Sequence, residues 1–182
     1  MKKYILIIVL VLAIFFRPGI ALAGDNIAAK SATLQEVEIQ KNSFQRVQYS
    51  QRVAIQNVLR RYNSTLVNYA DEFVAAAYRY DLNPYLLVSI SGLESFFGRY
   101  MIEGTYNGYG WGGGHISFQS WEEGIETISR SLRENYFDRG AQTIHDVGRT
   151  YAASPTWSVR VSHFIRQFEL EEQKVHQIVI IL

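Results

Sequence analysis

There is no cysteine among the 182 residues of this chain. A disulfide scaffold, a thiolate zinc site, an iron–sulfur cluster and a cysteine nucleophile are therefore all excluded. An excess of charge is missing too, since 18 lysines and arginines stand against 17 aspartates and glutamates. Such a balance gives no long-range attraction for a polyanion, so no nucleic-acid partner is expected. The four histidines, His115, His145, His163 and His176, show no close ligand spacing of the His-Glu-x-x-His kind, and neither a metal nor a cofactor is expected. The chain lacks a Gly-x-Ser-x-Gly elbow, which argues against a serine hydrolase of that type. What it has in plenty is aromatic side chains, 12 Tyr, 10 Phe and 3 Trp, within a composition that is 48% hydrophobic. That supplies one ordinary domain with its own core and excludes two large ones.

Lys2 and Lys3 precede an apolar run at residues 4–16, and Pro18 and the small-residue triplet Ala21, Leu22, Ala23 follow it. This is the pattern of an export signal. The run is about a dozen residues long, short of the roughly 20 that cross a bilayer as a helix, so residues 1–23 are expected to be a cleaved signal peptide. The working protein is then expected outside the cytoplasm, in periplasm, cell wall or medium. It would touch a membrane only through that segment, were it uncleaved. Removing Lys2, Lys3 and Arg17 and no acid leaves 15 basic against 17 acidic residues, so the mature chain is slightly acidic.

Residues 24–52 carry scattered Ile, Leu and Val among Ala, Ser, Gln, Asn, Lys and Glu, too sparse for a core face, and read as a spacer or loosely docked helix. From Val53 to Tyr80 apolar residues recur at helical spacing (Tyr62, Leu66, Tyr69, Phe73, Ala76, Ala77), which predicts one amphipathic helix. Asn83 and Pro84 suit the cap and first position of a second helix running to about Phe97, with Gly98 to end it. Five glycines between Gly108 and Gly114, among Tyr106, Tyr109 and Trp111, predict a loop or short hairpin. Ser120 to Glu123 has capping-box form ahead of Ile125, Ile128, Leu132 and Tyr136. Thr143 caps a short helix carrying Ile144, Val147 and Tyr151, and Ser154 with Pro155 opens a last helix burying Val161, Phe164, Ile165 and Phe168. The domain is expected to be monomeric and to occupy residues 53–172, ahead of an apolar C-terminal tail at 173–182 too short to span a membrane.

Glu94 is the residue that stands out on the second helix. At 100° per residue, Leu87 and Ile90 lie within about 40° of it and Phe97 within about 60°, so its carboxylate is predicted to project from the apolar face. Ser91 and Gly98, one turn to either side, would leave room beside it. Apolar surroundings raise a carboxylate's pKa, as a general acid working near neutral pH requires. The structural alternative is a glutamate paired with an arginine or held by backbone donors. A cleft for sugar rings needs flat aromatic faces and polar groups near that acid, and the loop with Tyr106, Asn107, Tyr109 and Trp111 carries both. Its alternative is a core hairpin plugged by aromatics. Gly108, Gly110 and Gly113 also match Gly-x-Gly-x-x-Gly, but no strand precedes them and no long helix starts at once, so the dinucleotide reading lacks its context.

Four segments carry a family resemblance. DLNPYLLVSISGLESFFGRY, residues 81–100, resembles the catalytic helix of the lysozyme-like superfamily that includes lytic transglycosylases and bacterial glucosaminidases. NGYGWGGG at 107–114 is similar to that group's Asn-x-x-Gly loop, FQSWEEGI at 118–125 to the helix start that follows it, and YAASPTW at 151–157 to its late Tyr-Ala segment. The resemblance spans about residues 69–168. It implies a mainly α fold (α+β, lysozyme-like), with a catalytic glutamate near the end of a central helix and a small glycine-rich loop or hairpin. It implies cleavage of peptidoglycan glycan strands between N-acetylglucosamine and N-acetylmuramic acid. Glu94 would be the acid, Tyr151 a cleft tyrosine steering substrate or intermediate, and Ser95 with Tyr106, Asn107, Tyr109 and Trp111 of the glycine-rich loop the sugar-binding residues. The Gly-Leu-Met-Gln loop typical of many lytic transglycosylases is absent.

A second carboxylate decides the chemistry. Glycoside hydrolysis usually uses two, about 5 Å apart when retaining and 6.5–9.5 Å when inverting. Glu103, in the loop after Glu94, is the best candidate, with a solvated loop charge as its alternative. Glu122 and Glu123 are explained by the capping box and the helix dipole. Without a second carboxylate two routes remain: the substrate's acetamido group assists, or the muramic acid primary hydroxyl attacks and leaves an anhydro end. The rival readings are a non-catalytic glycan-binding or wall-anchoring module, and a structural component of an envelope machine.

Overall fold

The computed structural model describes the backbone of residues 22–181 and the side chains from Lys30 to Ile178 other than that of residue 32. Most of the expected signal peptide lies outside the described residues. Among those described, the architecture is mainly helical and contains no strand. None of its helices is long and apolar enough to cross a membrane.

The chain divides into two units, residues 1–42 and 43–182. In the first, the described residues belong to helix α1, Leu22–Arg61, and Leu34, Val37 and Ile39 are exposed. The second unit begins at Ser43, inside what reads as spacer, because α1 buries Ser50, Gln51, Ala54, Ile55, Val58 and Leu59 there. The single helix expected over 53–80 is broken. α1 stops at Arg61, Asn63 takes a left-handed φ of 51°, and Ser64 caps a 3-10 turn, Thr65–Tyr69, before α2, Ala70–Arg79. Ser64 holds the break in place by accepting the Leu66 N–H and donating to the Phe97 carbonyl at 2.8 Å. The apolar residues stay in helical register on either side, which is why spacing alone did not reveal the interruption.

Helix α3, Leu86–Ser95, is the centre of the unit, with Leu86 to Gly92 all buried. An apolar surface all round is what a helix enclosed by others requires. It packs against α6, Trp157–Ile181, and α4, Trp121–Leu132. It is shorter than expected at both ends. Asn83 works one turn earlier, its side chain accepting the Tyr85 N–H at 2.8 Å.

At the other end Phe96, Phe97 and Gly98 are all left-handed, with φ of 52°, 59° and 81°. Each non-glycine residue in that region costs on the order of 1–3 kcal/mol. Burial of the Phe97 ring, 0% exposed among Tyr62, Phe164 and Phe168, returns roughly 1.5–3 kcal/mol. Ser95 secures the turn by accepting the Gly98 N–H at 2.8 Å.

The remaining caps form as the residue types dictate. Ser120 accepts the Glu123 N–H while Glu123 accepts that of Gln119. Thr143 and Asp146 make a reciprocal capping box for α5, Ile144–Tyr151. Between α4 and α5 the chain makes a π turn, Arg133–Phe137, which leaves Tyr136 half-buried beside Tyr151. α6 starts at Trp157, after Ser154 and Pro155, and carries the expected tail as far as Ile181.

Candidate active site

The turn at Phe96–Gly98 reverses the chain at the end of α3 and returns the glycine loop over it. That loop contains no hairpin: Trp111–Gly114 is a 3-10 turn with Gly112 and Gly113 left-handed. Its organiser is Asn107, which is 2% exposed. Asn107 Nδ2 donates to the carbonyls of Trp111 and Ile116, both at 2.8 Å, and its Oδ1 accepts the Trp111 N–H at 3.1 Å. Both amide hydrogens are spent inside the protein, so Asn107 shapes the loop, and it also borders a cavity with Glu94 and Ser95. Ser95 does the same from the helix side, its hydroxyl donating to the Gly108 carbonyl at 2.6 Å. Tyr109 is wholly buried and takes no part in the cleft surface.

Glu94 differs from its expected setting. The side chain is exposed, not sunk among apolar groups, and the room anticipated beside it is filled. Ser91 is buried, and a Cβ on Gly98 would lie 2.8 Å from the Trp121 ring. What defines Glu94 is a small set of specific neighbours. Trp157, 63 positions later, donates its indole N–H to Oε1 at 2.7 Å. Oε2 lies over Gly110, where a Cβ would be 2.9 Å away. With φ of 68° as well, position 110 admits glycine on both conformational and steric grounds.

Tyr151 stands behind this pair, its ring stacked on Trp157 at 4.8 Å and its hydroxyl donating to the Tyr109 carbonyl at 2.7 Å. Burial first, and then the charge of Glu94, push the Tyr151 phenol well above the usual tyrosine range. It is therefore a neutral hydrogen-bond donor that fixes the glycine loop against α5.

Three cavities join along this surface. One of about 390 Å³ lies toward α6, with Glu94, Phe96, Tyr100, Arg160 and His163 on its wall. A second of about 340 Å³ shares Glu94, Ser95 and Tyr100 with it and runs under Gly110 and Gly113. The third, about 360 Å³, shares those two glycines and ends at Trp111, Tyr136 and Tyr151. Glu94 thus lies on the wall shared by two cavities of this groove and is the one carboxylate lining any of the three.

Of the residues expected to bind substrate, Trp111 lines the aromatic end, its ring 5.8 Å from that of Tyr151. Tyr106 is half-buried edge-on to Trp121, beneath the loop. Glu103 is exposed and borders none of the three cavities, so the structure does not bring it to Glu94 as a second carboxylate.

Sequence reasoning missed Trp157 as the partner of Glu94, Tyr100 at the junction of two cavities and Arg160 on the groove wall. Trp157 was within reach, as a tryptophan in the segment that resembles the family's cleft. Tyr100 and Arg160 carried no local signal. No protein-family model matches the chain, and no curated protein matches it.

Proposed function

We propose that this protein cleaves the glycan strands of peptidoglycan, between N-acetylglucosamine and N-acetylmuramic acid, on a lysozyme-like fold and outside the cytoplasm, with Glu94 as general acid. The observation that carries the reading is one accessible carboxylate, held by a single indole N–H, on the wall shared by two adjoining cavities of about 390 and 340 Å³. The resemblance of residues 81–100, 107–114, 118–125 and 151–157 to the transglycosylase and glucosaminidase group supplies the substrate class.

Trp157 occupies Oε1 as a donor, which leaves Oε2 as the oxygen that gives up a proton. Protonation of the glycosidic oxygen lets the bond to the anomeric carbon break, and the leaving sugar departs as an alcohol. The carboxylate so formed then accepts a proton from the attacking nucleophile.

With Glu94 the lone acid on the groove wall, the one-acid routes are favoured over a two-carboxylate mechanism. In one, the substrate's acetamido oxygen attacks and water later opens the ring it forms. In the other, the muramic acid primary hydroxyl attacks, loses its proton to Glu94 and leaves an anhydro end.

Mass spectrometry of soluble products from purified peptidoglycan, with the wild type and Glu94→Gln, tests the reading. Anhydro-muramic ends from the wild type alone would identify a transglycosylase, and reducing ends a hydrolase. Equal release by both proteins, or release by neither while both bind the wall, would overturn the enzyme reading.

A further inference from the structure

The two ends of the groove are chemically unlike. Around Trp111, Tyr136 and Tyr151 the wall is aromatic and carries no formal charge. Toward α6 it carries Arg160 and His163, and Arg99 lies nearby with its guanidinium 5.7 Å from the Phe96 ring and 5.9 Å from that of Tyr100. The one acid lining this cavity is Glu94, already engaged with Trp157.

Elsewhere on this unit Arg61, Arg79, Arg133 and Arg149 meet carboxylates of the protein, while among the described residues Arg60, Arg130, Arg139 and Arg166 do not, and none of those four lines the groove. Among the described residues no carboxylate lies within ion-pairing distance of Arg160, one turn beyond Trp157 on α6. Arg160 is exposed on the wall of the cavity that holds Glu94, so its guanidinium is open to an anion entering there. Beside it Tyr100 is 73% exposed and stacked on Phe96 at 5.8 Å, a flat surface suited to the apolar face of a pyranose.

We infer that the α6 end of the groove binds a carboxylate carried on the glycan strand, with Arg160 as its partner and Tyr100 as the platform for the sugar ring. The inference rests on the glycan-cleaving reading for its ligand class. The carboxylate has two possible sources: the lactyl group of a bare muramic acid, or the carboxyls of an attached stem peptide. A guanidinium receives either in the same way, by paired charge-assisted hydrogen bonds.

Calorimetric titration of the full chain carrying Glu94→Gln, so that strands stay intact, tests this with three probes of equal sugar count. They are neutral chitotetraose, an amidase-stripped glycan strand and a strand that keeps its stem peptides. Adding Arg160→Gln should lower the ratio of affinities, carboxylate-bearing over neutral, about fivefold, and Arg160→Lys should restore part of it. The ratio should also shrink as salt rises. Tyr100→Ala should weaken all three probes together and leave the ratio intact. A ratio that falls with the stripped strand names the lactyl carboxylate, and one that falls only with the peptide-bearing strand names the peptide.

An unchanged ratio in Arg160→Gln overturns the inference, and it leaves the enzyme reading standing if Glu94-dependent products still form. Arg160-dependent preference without any cleavage by wild type overturns the enzyme reading and keeps the anion site. Binding of none of the probes overturns both.

Discussion

Glu94 and Glu171 are both helical glutamates of the same unit, and their surroundings could hardly differ more. Glu171, on α6, is 8% exposed and accepts hydrogen bonds from Asn57 at 3.1 Å, Arg61 at 2.9 Å and Lys174 at 3.3 Å. Burial by itself would raise its pKa, but those donors and the Arg61 charge outweigh it and hold the carboxyl below the usual glutamate range. Its acceptor capacity is used up in joining α6 to α1. Glu94 has one donor, Trp157, and faces a groove. A carboxylate surrounded by the protein's own cations stabilises the fold, whereas one left with an open oxygen in a cleft is available for chemistry. The arginine-paired alternative weighed for Glu94 is realised in this molecule, but at Glu171.

The largest expected effect follows from removing the open oxygen. Glu94→Gln should lower cleavage of peptidoglycan by about 10²–10⁴, with unfolding free energy within about 0.5 kcal/mol of wild type, read from product release and a urea midpoint. A substantial loss of stability in that variant would erase the contrast with Glu171. The converse substitution, Glu171→Gln, should cost about 1–3 kcal/mol in the same denaturation experiment, because Arg61 and Lys174 lose their shared partner. The activity of its folded fraction should remain.

Trp157→Phe sharpens the picture by deleting the one donor to Glu94 while keeping the stack on Tyr151. Steady-state kinetics should show kcat down about tenfold with KM little changed, and a pure KM effect would mean that the indole binds substrate instead of orienting the acid.

Acid should act on Glu171 in a defined direction. Its folded pKa is depressed, so the stability it contributes is complete above the unfolded value of about 4.3 and is lost as pH falls through the folded one. Thermal melts should therefore decline more steeply between about pH 5 and pH 3 in wild type than in Glu171→Gln.

The smallest effect is reserved for Tyr151→Phe, which removes the bond to the Tyr109 carbonyl and should cost about 1 kcal/mol of stability. If that variant left stability untouched, Tyr151 would not be the tie between α5 and the glycine loop.

Much of this was legible in the chain itself, for local reasons. The pairs Ser120 with Glu123 and Thr143 with Asp146 lie three residues apart, so capping could be read from spacing. Glu94 was noticeable because a charge interrupts the apolar run of α3, although its burial was not correctly inferred. A helical projection places a side chain relative to its own helix, and does not say whether a neighbouring helix covers that side chain or leaves a cavity beside it. Ser95 and Asn107 were read as sugar ligands because small polar residues beside a cleft can either bind a ligand or fix the backbone. Both border a cavity with Glu94, and their bonds to the Gly108 and Ile116 carbonyls exist only once the loop is folded.

The sequence by itself determined that this is a helical chain without cysteine chemistry, where most of its helices begin, and that one glutamate beside an aromatic, glycine-rich loop is the place to look. These follow from periodicity, caps and composition, which act over a few residues. Only the tertiary structure decided that Trp157 reaches Glu94 from 63 positions away, that Glu103 stays off the groove, and that Arg160 lines the same cavity as Glu94. Those outcomes depend on how α3, α5 and α6 pack, and packing brings together residues whose separation along the chain carries no local signal.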